Sequence, residues 1–174
     1  MSKAMYSTPI YQDYAHIHAA ASSYVFVLEK EDEITLQRIT AQINKTVLYH
    51  VLIAETLDQN NIELFQDLLI QHISRVKAGL HSVVVGSESF IWKIQKLLVQ
   101  QGCLEQEYSL IKTESTDKDI YCVHCGHQQT TYASEYCTCA HCGIHLVVRT
   151  HFSQRLGAYI GICANVQQPT GVAS

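Results

Sequence analysis

Charge is scarce in this 174-residue chain. Lys, Arg, Asp and Glu together make up 16% of it, and the net charge is −4. No basic run is present, and clustered Lys and Arg are what give non-specific affinity for nucleic acid. A nucleic-acid partner is therefore not expected. No apolar run approaches the length of a membrane-spanning helix, and no basic-then-apolar signal segment opens the chain. The expectation is a soluble, cytoplasmic protein without a membrane partner. In that compartment the seven cysteines read as metal ligands and free thiols, not as disulfides. Repeats and low-complexity tracts are also missing. What is present is a 47% hydrophobic content, enough to bury the core of one or two small domains.

Four of the cysteines fall in a pattern. Cys122-Val123-His124-Cys125-Gly126 and Cys139-Ala140-His141-Cys142-Gly143 are two C-x2-C pairs, the spacing of a four-thiolate metal site. Two thiolates on one ion need their Cα atoms close together at a narrow turn. The glycine after each second cysteine can take the positive φ that such a turn demands. Zinc is the default metal, because four thiolates suit its tetrahedral preference and leave no open position. An iron centre shares the spacing, and four unligated thiols are the bland alternative. Cys137 forms an extra Cys-x-Cys with Cys139, but lies farther from Cys142 than a knuckle allows. Cys103 and Cys163 carry no assigned role.

Upstream, apolar strand-length runs alternate with helical periodicity. Strands are expected at 24–28, 46–53, 81–86 and 107–112, and helices at 33–44, 61–77 and 87–101. Such alternation implies βαβ units and a parallel sheet. The expected fold is α/β, a small three-layer domain over 23–116. An N-terminal arm over 1–22 precedes it, and a zinc ribbon over 117–174 follows. His16-Ile17-His18 in the arm invites a metal reading, but an arm laid over a domain or partner accounts for it better.

A dinucleotide fold needs a glycine-rich turn after its first strand. Here that turn is Glu29-Lys30-Glu31-Asp32-Glu33, with no glycine and four carboxylates that would repel a diphosphate. Gly86-Ser87-Glu88 after the third strand is ordinary turn chemistry. The stretch from Ser82 through Phe90, Gly102 and 107–112 resembles the last βαβ unit of the nicotinamide-binding module of ferredoxin reductases, in degenerate form. The phosphate-binding turn is missing, so the domain reads as a scaffold.

After the second knuckle, Leu146–Val148 reads as a ribbon strand. A strip follows that contains Arg149, His151, Phe152, Ser153, Arg155 and Tyr159. Its cations, imidazole and hydroxyl suit recognition of an anion or polarisation of a nearby substrate, or else a subunit interface. The interface is preferred, since Arg and aromatic residues concentrate at buried contact centres. At such an interface Arg149 and Arg155 would pair with carboxylates while His151 caps a turn.

Taken with the two knuckles, this strip resembles the C-terminal domain of the small zinc-ribbon subunit of bacterial dimethylamine monooxygenase, whose members carry a strip like Val-Arg-Asp-His-Phe-Ser-Arg-Arg-Leu-x-Ala-Tyr. Here Thr150 replaces the acidic residue and Gln154 the first arginine. The resemblance implies a non-catalytic, zinc-stabilised subunit of an NADPH- and O2-dependent complex that demethylates dimethylamine to methylamine and formaldehyde. It places haem in an oxygenase subunit, and FMN with a 2Fe-2S centre in a reductase. This chain has no haem-attachment motif and no plant-type ferredoxin spacing. An iron–thiolate electron carrier is the main alternative function, and a zinc-ribbon nucleic-acid adaptor a weaker one.

Overall fold

The computed structural model describes Pro9, residues 11–14, Ile17, and residues 20–54, 62–75, 79–132 and 135–164. His16 and His18 lie outside the described residues, as does the C-terminal tail. The chain divides into two compact units, one ending at Ser115 and the other starting at Thr116, with Pro9 grouped with the latter.

The first unit is α/β. Its elements are β1 (Ser23–Leu28), α1 (Glu33–Thr40), β2 (Leu48–Ile53), α2 (Ile62–Arg75), β3 (Leu80–Gly86), α3 (Glu88–Gln100) and β4 (Tyr108–Lys112). The strands form one parallel sheet in the order β2-β1-β3-β4. Residues alternate between the two faces of a strand, so a continuous apolar run buries both. Tyr24, Phe26 and Leu28 join Val83, Val85 and Ile111 on one face, packed with Ile39 and Ile43 from α1 and its exit. Val25, Val27 and Val84, equally buried, point to the other. There α3 packs on β3 and β4 and meets α2, with Ile91, Ile94 and Leu98 buried.

The first helix is shorter than its apolar spacing suggested. It stops at Thr40, whose hydroxyl donates to the carbonyls of Leu36 and Gln37 (2.8 and 3.1 Å). The Ala41 N–H still takes the Gln37 carbonyl, but the Gln42 N–H turns to Ile39 at 3.0 Å, the tighter i-to-i−3 bond of a terminating turn. Ile34 is 63% exposed, and Thr35 and Ile39 form the buried stripe. The acidic run before α1 supplies its cap, since Asp32 accepts from the Ile34 N–H at 3.0 Å. Ser87 caps α3. Gly102, at φ 86, ends α3, and Gly102 and Cys103 donate back to Val99 and Leu98 as in a Schellman closure.

From Tyr11 onward the described part of the expected arm belongs to this unit. Ile17 is buried in it and Tyr14 packs alongside, while the Gln12 N–H donates to the Leu110 carbonyl of β4 at 3.0 Å. Tyr11 donates to Glu88 and accepts from the Trp92 indole at 3.1 Å. Lys112 reaches Glu88 at 3.3 Å and lies over the Tyr11 ring.

The second unit is a five-stranded sheet of β5 (Lys118–Cys122), β6 (Gln128–Thr131), β7 (Tyr136–Thr138), β8 (His145–Ser153) and β9 (Ala158–Cys163). The order is β6-β5-β9-β8-β7. β5 and β9 pair in parallel and the other neighbours antiparallel. Ile120, Cys122, Cys139 and Leu146 form its small core. Gly161 lies over that core, where a Cβ would come within 2.8 Å of Ile120 Cγ2 and 3.0 Å of Leu146 Cδ1.

Candidate metal centre

Each knuckle is a turn closed by its own backbone. The Gly126 N–H donates to the Cys122 carbonyl (2.8 Å) and the Cys122 N–H to the His127 carbonyl (2.9 Å). In the second knuckle, Gly143 donates to Cys139 and Cys139 to the Ile144 carbonyl, both at 2.9 Å. Gly126 and Gly143 stand at φ 75 and 71, conformations that a Cβ would strain.

The two knuckles come from β5–β6 and from the β7–β8 connection, and the fold brings them face to face. Sγ of Cys122 lies 3.9 Å from that of Cys142, and Sγ of Cys125 lies 3.6 Å from that of Cys139. All four sulfurs are within 4.8 Å of one another. Four thiolates at about 2.3 Å from one zinc lie about 3.8 Å apart along the edges of a tetrahedron. The donor set and its spacing therefore fit one tetrahedral ion, and the four cysteines could hold a metal.

The electrostatics are consistent with a site that needs a cation. Backbone N–H groups of Cys142 and His141 point at the Cys139 sulfur and bring its thiol down to about 6. The His127 N–H favours a thiolate at Cys125, but desolvation and the neighbouring thiols outweigh it and push Cys125 up to about 12. Crowded thiols cannot all ionise alone, and a divalent ion removes that conflict.

The remaining cysteines lie elsewhere. Cys137, on β7, packs against the ribbon core and is pushed up first by burial, then by the charges of Cys139 and Cys122. It registers with Leu146, which registers with Cys163 on β9. Cys103 follows α3 in the other unit.

The strip extends β8 well past the expected Leu146–Val148, because β9 returns alongside it. Val148 registers with Gly161 and Phe152 with Tyr159, so Arg149, Thr150 and His151 form a bulge. All three are exposed, as is Arg155, and neither arginine has an ion pair among the described residues. Phe152 and Tyr159 are buried (5% and 7% exposed). Their rings meet edge-on at 5.0 Å, and Lys118 lies over the Tyr159 ring. Ser153, not His151, holds the following turn: its carbonyl accepts from Gly157 at 2.7 Å and its hydroxyl from Leu156 at 3.3 Å. Two residue types thus share the strip, cations outward and aromatics inward.

Three residues at the site carried no sequence signal. Gln129 on β6 links the hairpin of the first knuckle to the second knuckle, with its amide donating to the Thr138 carbonyl (2.9 Å) and accepting from the Ala140 N–H (2.6 Å). Asp119, 6% exposed, accepts from Thr130 (2.7 Å) and Gln128 (3.3 Å). Gly161 is the close-approach position above. All three depend on contacts across strands.

The other place where an α/β fold binds ligands is the crevice at its strand ends, where the strand order reverses. In this sheet that is between β1 and β3. The Glu29 carboxylate fills it, accepting the Ser87 N–H at 2.5 Å and the Ser87 hydroxyl at 2.8 Å. A Cβ on Gly86 would meet Phe90 at 2.6 Å and Glu29 at 2.7 Å. This glycine serves internal packing.

Residues 119–162 match the family described as dimethylamine monooxygenase subunit DmmA-like, C-terminal domain. Both knuckles and the strip fall inside that match. The heme-dependent oxidative N-demethylase delta subunit of Ectopseudomonas mendocina (strain ymp) is 31% identical over 150 residues, covering 86% of this chain and 84% of that protein. No solved structure matches. With a relative this similar over most of both chains, and the DmmA-like domain on the four cysteines, the chain belongs to the family of that N-demethylase delta subunit.

Proposed function

We propose that this protein is an accessory, non-catalytic subunit of an oxidative N-demethylase, with a structural zinc ion in its ribbon. The carrying observation is the likeness to a delta subunit of a heme-dependent oxidative N-demethylase over 84% of that protein's length. The four-thiolate geometry supports the rest. A tetrahedral ion with four protein ligands has no open position for water, substrate or O2, so the metal's contribution is to fold the ribbon. The reaction is NADPH-dependent conversion of dimethylamine to methylamine and formaldehyde. Haem, FMN and a 2Fe-2S centre belong to partner subunits in the cytoplasm. The ribbon docks on those partners through Arg149, His151 and Arg155, which stand exposed on the bulge and turn.

Metal analysis with a visible spectrum, on the protein expressed alone and with its partners, tests this reading. One zinc per chain, no visible absorbance and co-purification with a haem protein are expected. A single iron would fit the same four sulfurs, so thiolate-to-iron absorbance that bleaches on reduction would overturn the structural role and make the chain an electron carrier.

A further inference from the structure

β6 and β7 are the two outer strands of the five-stranded ribbon sheet, on opposite edges, yet each leads to one knuckle. Backbone pairing cannot join them, because three strands lie between. Among the described residues a side chain makes the join. The carboxamide of Gln129 donates to the Thr138 carbonyl and accepts from the Ala140 N–H. These are the peptide groups on either side of Cys139. The amide thus occupies the place of a neighbouring strand's peptide unit, with both of its hydrogen-bonding functions used in the correct sense. Gln129 itself registers with Ile120, which packs in the core beside Cys122. One short chain of contacts therefore runs from the first knuckle, through β5 and β6, to the backbone of the second. The stacked rings of His127 and His141, 5.4 Å apart, lie along the same seam.

The geometry points to Gln129 as a positioning residue for the metal centre, a backbone surrogate that sets the distance between Cys139 and the first knuckle before any ion binds. The inference rests on the reading of Cys122, Cys125, Cys139 and Cys142 as metal ligands. Its physical content is preorganisation. Two hairpins held at the right separation lose little freedom when a cation joins them, whereas unlinked hairpins lose that freedom at the cation's expense. Groups that orient ligands from outside the coordination sphere typically change metal affinity by roughly 10- to 100-fold.

The test uses the full chain, titrated with zinc against a chromogenic chelator, and with cobalt to record ligand-field bands that report the tetrahedral geometry. Gln129→Met keeps the length of the side chain and removes both hydrogen bonds. It should weaken zinc binding by about 10- to 100-fold and broaden or shift the cobalt bands. Gln129→Glu keeps the acceptor for Ala140 and loses the donor to Thr138, so it should fall between Met and wild type. That graded rescue is something a general loss of stability would not produce. Gln128→Ala, on the same hairpin but bonded to Asp119, should leave affinity and spectrum unchanged. Wild-type affinity and spectrum in both Gln129 variants would overturn the positioning role. Failure of the wild-type chain to take up zinc or cobalt would instead remove the metal-site reading, and the inference with it.

Discussion

Glu29 and Ser87 are 58 residues apart in sequence, yet the carboxylate of one takes both hydrogen-bond donors of the other, the N–H at 2.5 Å and the hydroxyl at 2.8 Å. The start of α3, where a parallel sheet of this order would receive a phosphate, is filled from within. Replacing Glu29 by Ala leaves two buried donors unsatisfied and should cost the α/β unit about 1–3 kcal/mol, read as a lower urea midpoint. The single tryptophan, Trp92 on α3, reports on this region. NADPH added to the wild-type protein should leave its fluorescence unchanged, and saturable quenching would mean that the carboxylate yields to a nucleotide.

Metal removal should separate the two units. A chelator, or Cys139→Ser, would take away the proposed ion between two hairpins that share only a small core. The ribbon from about Asp119 onward should lose its dispersed chemical shifts, because ligand binding and folding are the same event in such sites. Trp92 emission should hold, since it lies in the other unit. Binding to partner subunits should be lost along with the ribbon. Assembly at wild-type strength by the Cys139 variant would sink the docking role of this unit.

His50 on β2 and His72 on α2 bring their rings to 4.4 Å. Burial, then the charges of His50 and Arg75, pull the His72 pKa below its ordinary value. A folded state that resists protonation is at its most stable when the ring is neutral, above the unfolded value of about 6.5. That stability drains away as pH falls through the lower folded value. The urea midpoint of the α/β unit should therefore be lower at about pH 5.5 than at about pH 7.5, and His72→Gln should flatten the difference. Equal pH dependence in wild type and variant would assign the effect to other groups.

Within the strip, inward and outward residues should respond differently. Phe152→Ala opens a cavity against Tyr159 and should destabilise the ribbon by about 3–5 kcal/mol, visible in thermal melts of the isolated protein. Arg155→Ala should leave the melt and the metal content intact while weakening association with the proposed partner subunits, more so at low salt. Unchanged association would assign Arg149 and Arg155 a solvated role.

What could be read from the residues alone was what is decided over a few residues. The C-x2-C-G turns need a glycine at positive φ and two close thiols, so both knuckles are written in five consecutive positions each. The alternation of apolar strands and periodic helices likewise gives a parallel α/β unit, since each element's burial pattern depends on its own spacing. The family resemblance rested on those same local signals. Tertiary structure decided everything that depends on a partner far along the chain. It placed Glu29 on Ser87, and it divided the strip into buried Phe152 and Tyr159 and exposed Arg149, His151 and Arg155. It extended β8 along β9, and it made Gln129 a substitute for backbone at the seam of the sheet. Pairing of distant strands is set by the summed packing of all of them, and no single segment carries that information.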